Sequence, residues 1–102
     1  KEPQAATVFV CESYLVTMGF LNALSELHLH VPDDYSVISI DSTDLYMIPG
    51  LGCGLTYIEI PDETRGILTM TKLIERIEHP EMAFSHIEVS PRLIIRDSVK
   101  KL

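Results

Sequence analysis

The segment Leu27-His28-Leu29-His30-Val31-Pro32-Asp33-Asp34-Tyr35-Ser36-Val37-Ile38-Ser39-Ile40-Asp41 constrains the fold more than any other part of the chain. It reads as the end of a helix, a turn closed by Pro32 and two aspartates, and a short strand. Val37, Ile38 and Ile40 are β-branched, and their near-continuous apolar run suits a parallel-sheet strand covered on both faces. Asp41 is the first carboxylate past that strand. Open parallel α/β sheets bind ligands in the crevice outside the carboxyl ends of their strands. A parallel sheet therefore puts Asp41 where a ligand sits, although the same carboxylate also suits a helix or turn cap.

The flanking sequence supplies the rest of such a sheet. Ala6 to Val10 reads as a first strand, and a helix is expected from about Ser13 or Tyr14 to Leu29. Val16, Phe20, Ala23, Leu24 and Leu27 recur at spacings of three and four, which assigns them to its core face. Asn22, Ser25 and Glu26 mark the solvated face. Leu15 and Met18 project the same way, either as isolated surface residues or as part of a subunit interface. Strand, helix and strand from Val8 to Ile40 then form a right-handed βαβ unit with parallel strands.

Residues 42–54 read as a loop, with room for one helical turn at Asp44 to Met47. Gly50-Leu51-Gly52-Cys53-Gly54 is rejected as a dinucleotide loop, because that motif follows a strand and opens a helix. Here a third strand, Leu55 to Ile60, is expected next. Pro61, Asp62, Glu63 and Thr64 suit the first turn of a second helix, where carboxylates meet the positive end of the dipole. Ile67, Met70, Leu73, Ile74 and Ile77 form its expected buried stripe, and Pro80 its stop. Gly66 costs roughly 1 kcal/mol against Ala inside a helix, which implies close packing there. Ser85 to Val89 and Leu93 to Ile95 read as two short strands, and Lys100-Lys101-Leu102 as a frayed tail.

Fifteen acidic residues against eight basic give a net charge of −7. No basic patch for phosphate neutralisation is available, so any DNA binding by a parent protein falls to another segment. The apolar content, 46%, is that of a globular domain. No apolar run reaches the roughly 18 residues of a membrane span. Lys1 to Thr7 do not resemble a natural beginning, and the chain is expected to be the tail of a longer protein. Cys11 and Cys53 lack Cys-x-x-Cys spacing and lie in or beside expected strands; two buried free thiols, in the cytoplasm, fit better than a disulfide. His28, His30, His79 and His86 lack metal-ligand spacing, so no metal site is expected. Neither a nucleophile elbow nor a Walker loop nor a Cys/His pair is present. No catalytic residue and no cofactor is assigned, and the chain is not expected to be an enzyme.

Several of these stretches resemble, in the same order, the effector-binding domain of the lactose-repressor/galactose-repressor family of bacterial transcription regulators. They are the helix end and turn up to Pro32, the run Asp34-Tyr35-Ser36-Val37-Ile38 through Asp41, Pro49 to Thr56, Glu63-x-x-Gly66, and Pro91-Arg92-Leu93-Ile94-Ile95-Arg96-Asp97-Ser98. His28 replaces the family's helix-end Gly. The resemblance implies an α/β fold with a mostly parallel sheet flanked by helices. The chain would form the C-terminal part of a two-subdomain, periplasmic-binding-protein-like domain. Residues 1–58 and 92–98 would belong to the C-terminal subdomain, and 59–91 would cross to the N-terminal one. It also implies a small-molecule effector, a sugar or sugar derivative, held between the subdomains near Asp41, Ser13, Tyr14 and Ser42.

The family's usual Asn-Asp is here Ser13-Tyr14, and the polar residue, commonly Gln, that it often has near Ile60 is lost here, which leaves the effector open. An ionised Asp41 can accept from two adjacent hydroxyls, and Tyr14 can offer a stacking surface to a sugar. A homodimer interface is implied at Leu15, Met18, Asn22, Leu45, Ile48 and Pro49, with DNA bound only through an upstream segment absent from this sequence and no membrane contact. The rival expectation is a periplasmic solute-binding protein of a transporter, which shares the fold but works as a monomer. A small flavodoxin-like enzyme would need a reactive group that the sequence lacks.

Overall fold

A computed structural model of the chain describes residues 6–40 and 53–101. Its elements are β1 (Val8–Cys11), α1 (Tyr14–Glu26), β2 (Ser36–Ile40), β3 (Thr56–Glu59), α2 (Asp62–Glu78) and β4 (Arg92–Ile94). The sheet runs β1-β2-β3-β4; the first two pairings are parallel and β3–β4 is antiparallel. The expected mostly parallel α/β sheet is thus present. The strand expected at 85–89 is not; those residues pair with no strand among the described residues.

Helix α1 begins where Ser13, in extended backbone, accepts the Val16 N–H on its Oγ at 3.3 Å. It ends in a Schellman motif: the Leu29 N–H reaches the Leu24 carbonyl at 2.9 Å and the His28 N–H that of Ser25 at 3.0 Å. His28 takes the left-handed conformation (φ 57°) that this motif requires and that Gly adopts without strain. In the following turn the Asp34 carboxylate accepts the His30 N–H at 2.7 Å, the turn chemistry expected of the aspartates.

The face α1 buries is not the one the apolar spacing indicates. Thr17, Leu21 and Leu24 are buried, while Val16, Ala23 and Leu27 are exposed. Met18, expected to point outward, is half-buried and packs with Phe20 against the core of Cys11, Leu21, Leu24, Val37 and Leu55. The stripe is rotated by one residue because Thr17 satisfies its own hydroxyl. Its Oγ1 donates to the Ser13 carbonyl at 2.6 Å, leaving the Ser39 hydroxyl to donate to it at 2.7 Å. With both partners in place, the desolvation cost of the buried hydroxyl is offset by its hydrogen bonds. Phe9 lies on the same side of the sheet, its ring 4.8 Å from Phe20 and 5.2 Å from Tyr35. Strand alternation puts Val8 and Val10 on the opposite face, and both are exposed. The strands expected to be covered on both faces pack against the core on one face only, and β1 leaves Val8 and Val10 open on the other.

Residues 96–100 bind across β2 and β3. The Ser98 hydroxyl, fully buried, donates to the Val37 carbonyl at 2.6 Å and accepts the Thr56 N–H at 2.8 Å. The Val37 N–H returns to the Ser98 carbonyl, the Arg96 N–H to Thr56 Oγ1, and the Lys100 N–H to Ser36 Oγ. The expected frayed tail therefore begins no earlier than Lys101. These residues reach β2 and β3 on the N-terminal side of the Ile38–Thr56 pair, where the two strands are not yet paired with each other.

The chain divides into two compact units, one running up to Glu59 and resuming at Arg92, the other Ile60–Pro91. Helix α2, in the second, has no buried residue. The expected buried stripe of Ile67, Met70, Leu73, Ile74 and Ile77 is 47–70% exposed. The rest of that unit lies on another side of the helix, where Leu68, Thr69 and Lys72 line a groove of about 530 Å³ with Ser85, Ile87 and Val89. Gly66 makes no close approach: apart from its chain neighbours and the backbone of its own helix turns, no heavy atom among the described residues lies within 4 Å of where its Cβ would stand. Gly54 does, since a Cβ there would meet the Arg96 side chain at 3.0 Å.

Candidate functional site

Because β1, β2 and β3 are parallel and in register, their carboxyl ends at Cys11, Ile40 and Glu59 lie along one edge of the sheet. That edge is where an open α/β sheet offers a crevice. Ser13 and Tyr14 follow β1 there, as expected. Ser13 is the N-cap of α1, so its Oγ lone pair is engaged by Val16 while its O–H proton is left to donate. Tyr14, the first residue of α1, is half-buried. Asp41 follows β2 directly in sequence; Asp41, Ser42, Leu45, Ile48 and Pro49 lie outside the described residues. Of the expected interface positions on α1, Leu15 is 78% exposed and Asn22 is exposed, whereas Met18 is half-buried.

One feature of this edge has no sequence signal. Arg92 donates to Glu59 Oε1 through Nη2 at 2.8 Å and through Nε at 3.2 Å. The two residues are 33 positions apart and meet only because β4 returns antiparallel to β3.

Among the described residues, the remaining titratable groups give no catalytic arrangement. Burial pushes the Cys11 thiol above its usual range, partly offset by a hydrogen bond with Thr17. Burial also raises the Cys53 thiol, and the nearby Asp97 carboxylate adds to the shift. Raised thiol pKa values keep both cysteines protonated and poorly nucleophilic at neutral pH. Both are free thiols, with Cys53 half-buried rather than buried. His30, His79 and His86 each lie within 3.7 Å of a nearby carboxylate, Asp34, Glu81 and Glu88 respectively. Among the described residues no three His, Cys, Asp or Glu side chains converge on a metal position, and no helix is long and apolar enough to cross a membrane. The glycine segment ends in Gly54 and leads into β3, a strand and not a helix.

A sequence model of the periplasmic binding protein-like domain matches residues 2–99. The chain belongs to that family. It is 34% identical to the HTH-type transcriptional repressor PurR of Mannheimia succiniciproducens, over 99% of this chain and 29% of that protein. It is also similar to a solved LacI family transcriptional regulator from Enterococcus faecalis with bound ribose. There the identity is 29% and the TM-score 0.84, covering 98% of this chain and 37% of that one. A second ribose-bound LacI family regulator, from Enterococcus faecium, gives 28% identity and a TM-score of 0.82, covering 98% of this chain and 36% of that one. The periplasmic binding protein-like chain thus spans under a third of the repressor and little over a third of the two crystallised regulators. The lactose-repressor/galactose-repressor resemblance carried by its motifs is upheld, and these relatives are transcription regulators rather than enzymes.

Proposed function

We propose that this chain is the C-terminal portion of the effector-binding domain of a cytoplasmic, dimeric transcription regulator. The effector is a sugar or sugar derivative held in a cleft between two subdomains. One observation carries the reading: a family domain matched across residues 2–99, in a chain similar over nearly its full length to two ribose-bound regulators. Relatives that are repressors favour a regulator over a transporter's binding protein. In this reading residues 1–58 and 92–98 belong to the C-terminal subdomain and 59–91 to the crossing segment. Asp41 and Ser42 accept sugar hydroxyls, Ser13 donates its free O–H proton to one, and Tyr14 stacks on the ring. The effector binds one arrangement of the subdomains more tightly than another, so it shifts their populations. The dimer, through Leu15, Met18, Asn22, Leu45, Ile48 and Pro49, passes the change to an upstream DNA-binding segment, as the charge of −7 on this chain requires.

Calorimetric titration of the longer protein with ribose and a panel of pentoses and hexoses tests the ligand. Asp41→Ala should weaken the best of them by about 1.5–3 kcal/mol, roughly 10- to 150-fold. Absence of heat with every sugar overturns the sugar reading. Sedimentation tests the dimer. Leu15→Asp is the cleaner probe, since Met18 packs against the core and a charge there also threatens the fold. An undiminished dimer in Leu15→Asp removes α1 from the interface.

A further inference from the structure

Both connections between the two compact units are made at a single rung of the sheet. The β3–β4 ladder pairs Tyr57 with Ile94, Ile58 with Leu93, and last Glu59 with Arg92. One residue beyond that rung, at Ile60 and at Pro91, the chain belongs to the second unit. Local chemistry ends the ladder there. Pro91 has no N–H to donate, and the Ile60 carbonyl is taken by the Asp62 N–H at 2.8 Å. Prolines on both sides also restrict Ile60 and Ser90, the residues before them, to extended conformations. The two connecting segments are therefore stiff in themselves and hold no backbone bond to each other past Glu59 and Arg92. At that last rung the paired strands carry a side-chain bridge, with Nε and Nη2 of Arg92 sharing Oε1 of Glu59. β4 has only three residues and one neighbouring strand, so its first residue is where it would fray.

We propose that the Glu59–Arg92 pair is a latch at the root of the two connecting strands. Closed, it holds them in register and limits how freely the second unit reorients; open, it lets the last rung part and moves the start of bending into β3 and β4. Both side chains are solvent-accessible, so the latch is weak, salt-sensitive and suited to opening and closing rather than to holding the fold.

The test is amide hydrogen exchange, with residual dipolar couplings, on the 102-residue chain carrying Glu59→Gln, Arg92→Gln, and the exchanged pair Glu59→Arg with Arg92→Glu. Each single variant should speed exchange at the Tyr57 and Ile94 amides, the rung next to the pair that bonds β3 to β4, about 2- to 5-fold, the range open to an exposed pair. Phe9, Val10 and Ile38 should be unmoved, and alignment of the second unit should become more averaged relative to the first. The exchanged pair should recover the parent rates. Single variants that leave Tyr57 and Ile94 at parent rates overturn the latch. So does a rise of equal size in β1 and β2, which would make the pair a global stabiliser, and so does failure of the exchanged pair to recover.

Discussion

Helices α1 and α2 both carry apolar residues at three- and four-residue spacing, yet among the described residues only α1 has a buried face. Its 13 residues place Thr17, Leu21 and Leu24 in a core shared with β1 and β2. The 17 residues of α2 bury none, and their stripe from Ile67 to Ile77 stays largely in solvent. What α2 has instead is local support. Asp62 and Glu63 occupy the first turn and Arg76 the last, and Arg65–Asp62 and Lys72–Glu75 pair three residues apart. Such terms amount to a few tenths of a kcal/mol each. Periodicity names the apolar face of a helix; a covering surface decides whether that face becomes core.

Truncation should separate the two regions most widely. Leu24→Ala removes a buried side chain packed between helix and sheet and should cost about 2–5 kcal/mol, the usual range for Leu→Ala in a core. Urea unfolding followed by circular dichroism would measure it. A cost below about 1 kcal/mol would mean that the core of the first unit is as loosely covered as α2.

The next largest effect belongs to a serine. Ser98→Ala leaves the Val37 carbonyl and the Thr56 N–H without their side-chain partner in a fully buried position, and should cost about 1–3 kcal/mol. The same substitution at exposed Ser25 should change little. Comparing the two midpoints would show whether residues 96–100 fasten β2 to β3 or merely lie upon them.

These serines and threonines also show where the sequence stops being readable. β1, β2, β3 and both helices could be placed within a few residues, because β-branched runs and apolar spacing are local signals. The rotation of α1 could not. Thr17 counts as polar until its partners, Ser13 and Ser39, are known, and Ser39 is 22 residues away. Ser98 and Val37 are 61 apart, so nothing near Ser98 marks it as buried or the tail as ordered. The strand expected at 85–89 failed for a related reason: the alternation of Ile87 and Val89 with His86 and Glu88 is a local signal, and no described strand lies beside it to pair with. Of the candidate site, Ser13 and Tyr14 fall at the sheet edge as the parallel topology dictates, whereas the Glu59–Arg92 contact depends on the return of β4.

His28 offers a test of smaller size and opposite sign. Its φ of 57° puts a side chain where glycine is preferred, and its N–H and that of Leu29 complete the end of α1. His28→Gly removes a left-handed penalty of about 1–2 kcal/mol, and the added freedom of the unfolded chain takes back about 0.5–1. A net gain of about 0.5–1 kcal/mol is expected in the same unfolding experiment. A loss would mean that the His28 side chain contributes more than its backbone costs.

The smallest effect should come from the α2 stripe. Ile77 is 70% exposed, so Ile77→Ala removes little buried area. Alanine also gains a few tenths of a kcal/mol in helix propensity over a β-branched residue. The two contributions nearly cancel, and in this chain the change should fall within about 0.5 kcal/mol of zero. The same substitution made in a longer protein containing these residues separates two explanations of the exposed face. A cost there of about 2–5 kcal/mol would mean that chain beyond these 102 residues covers the stripe, making α2 a core helix whose partner lies elsewhere. A cost still near zero would mean that α2 stands on its capping charges and ion pairs alone, and the contrast with α1 would then be a property of the folded protein itself.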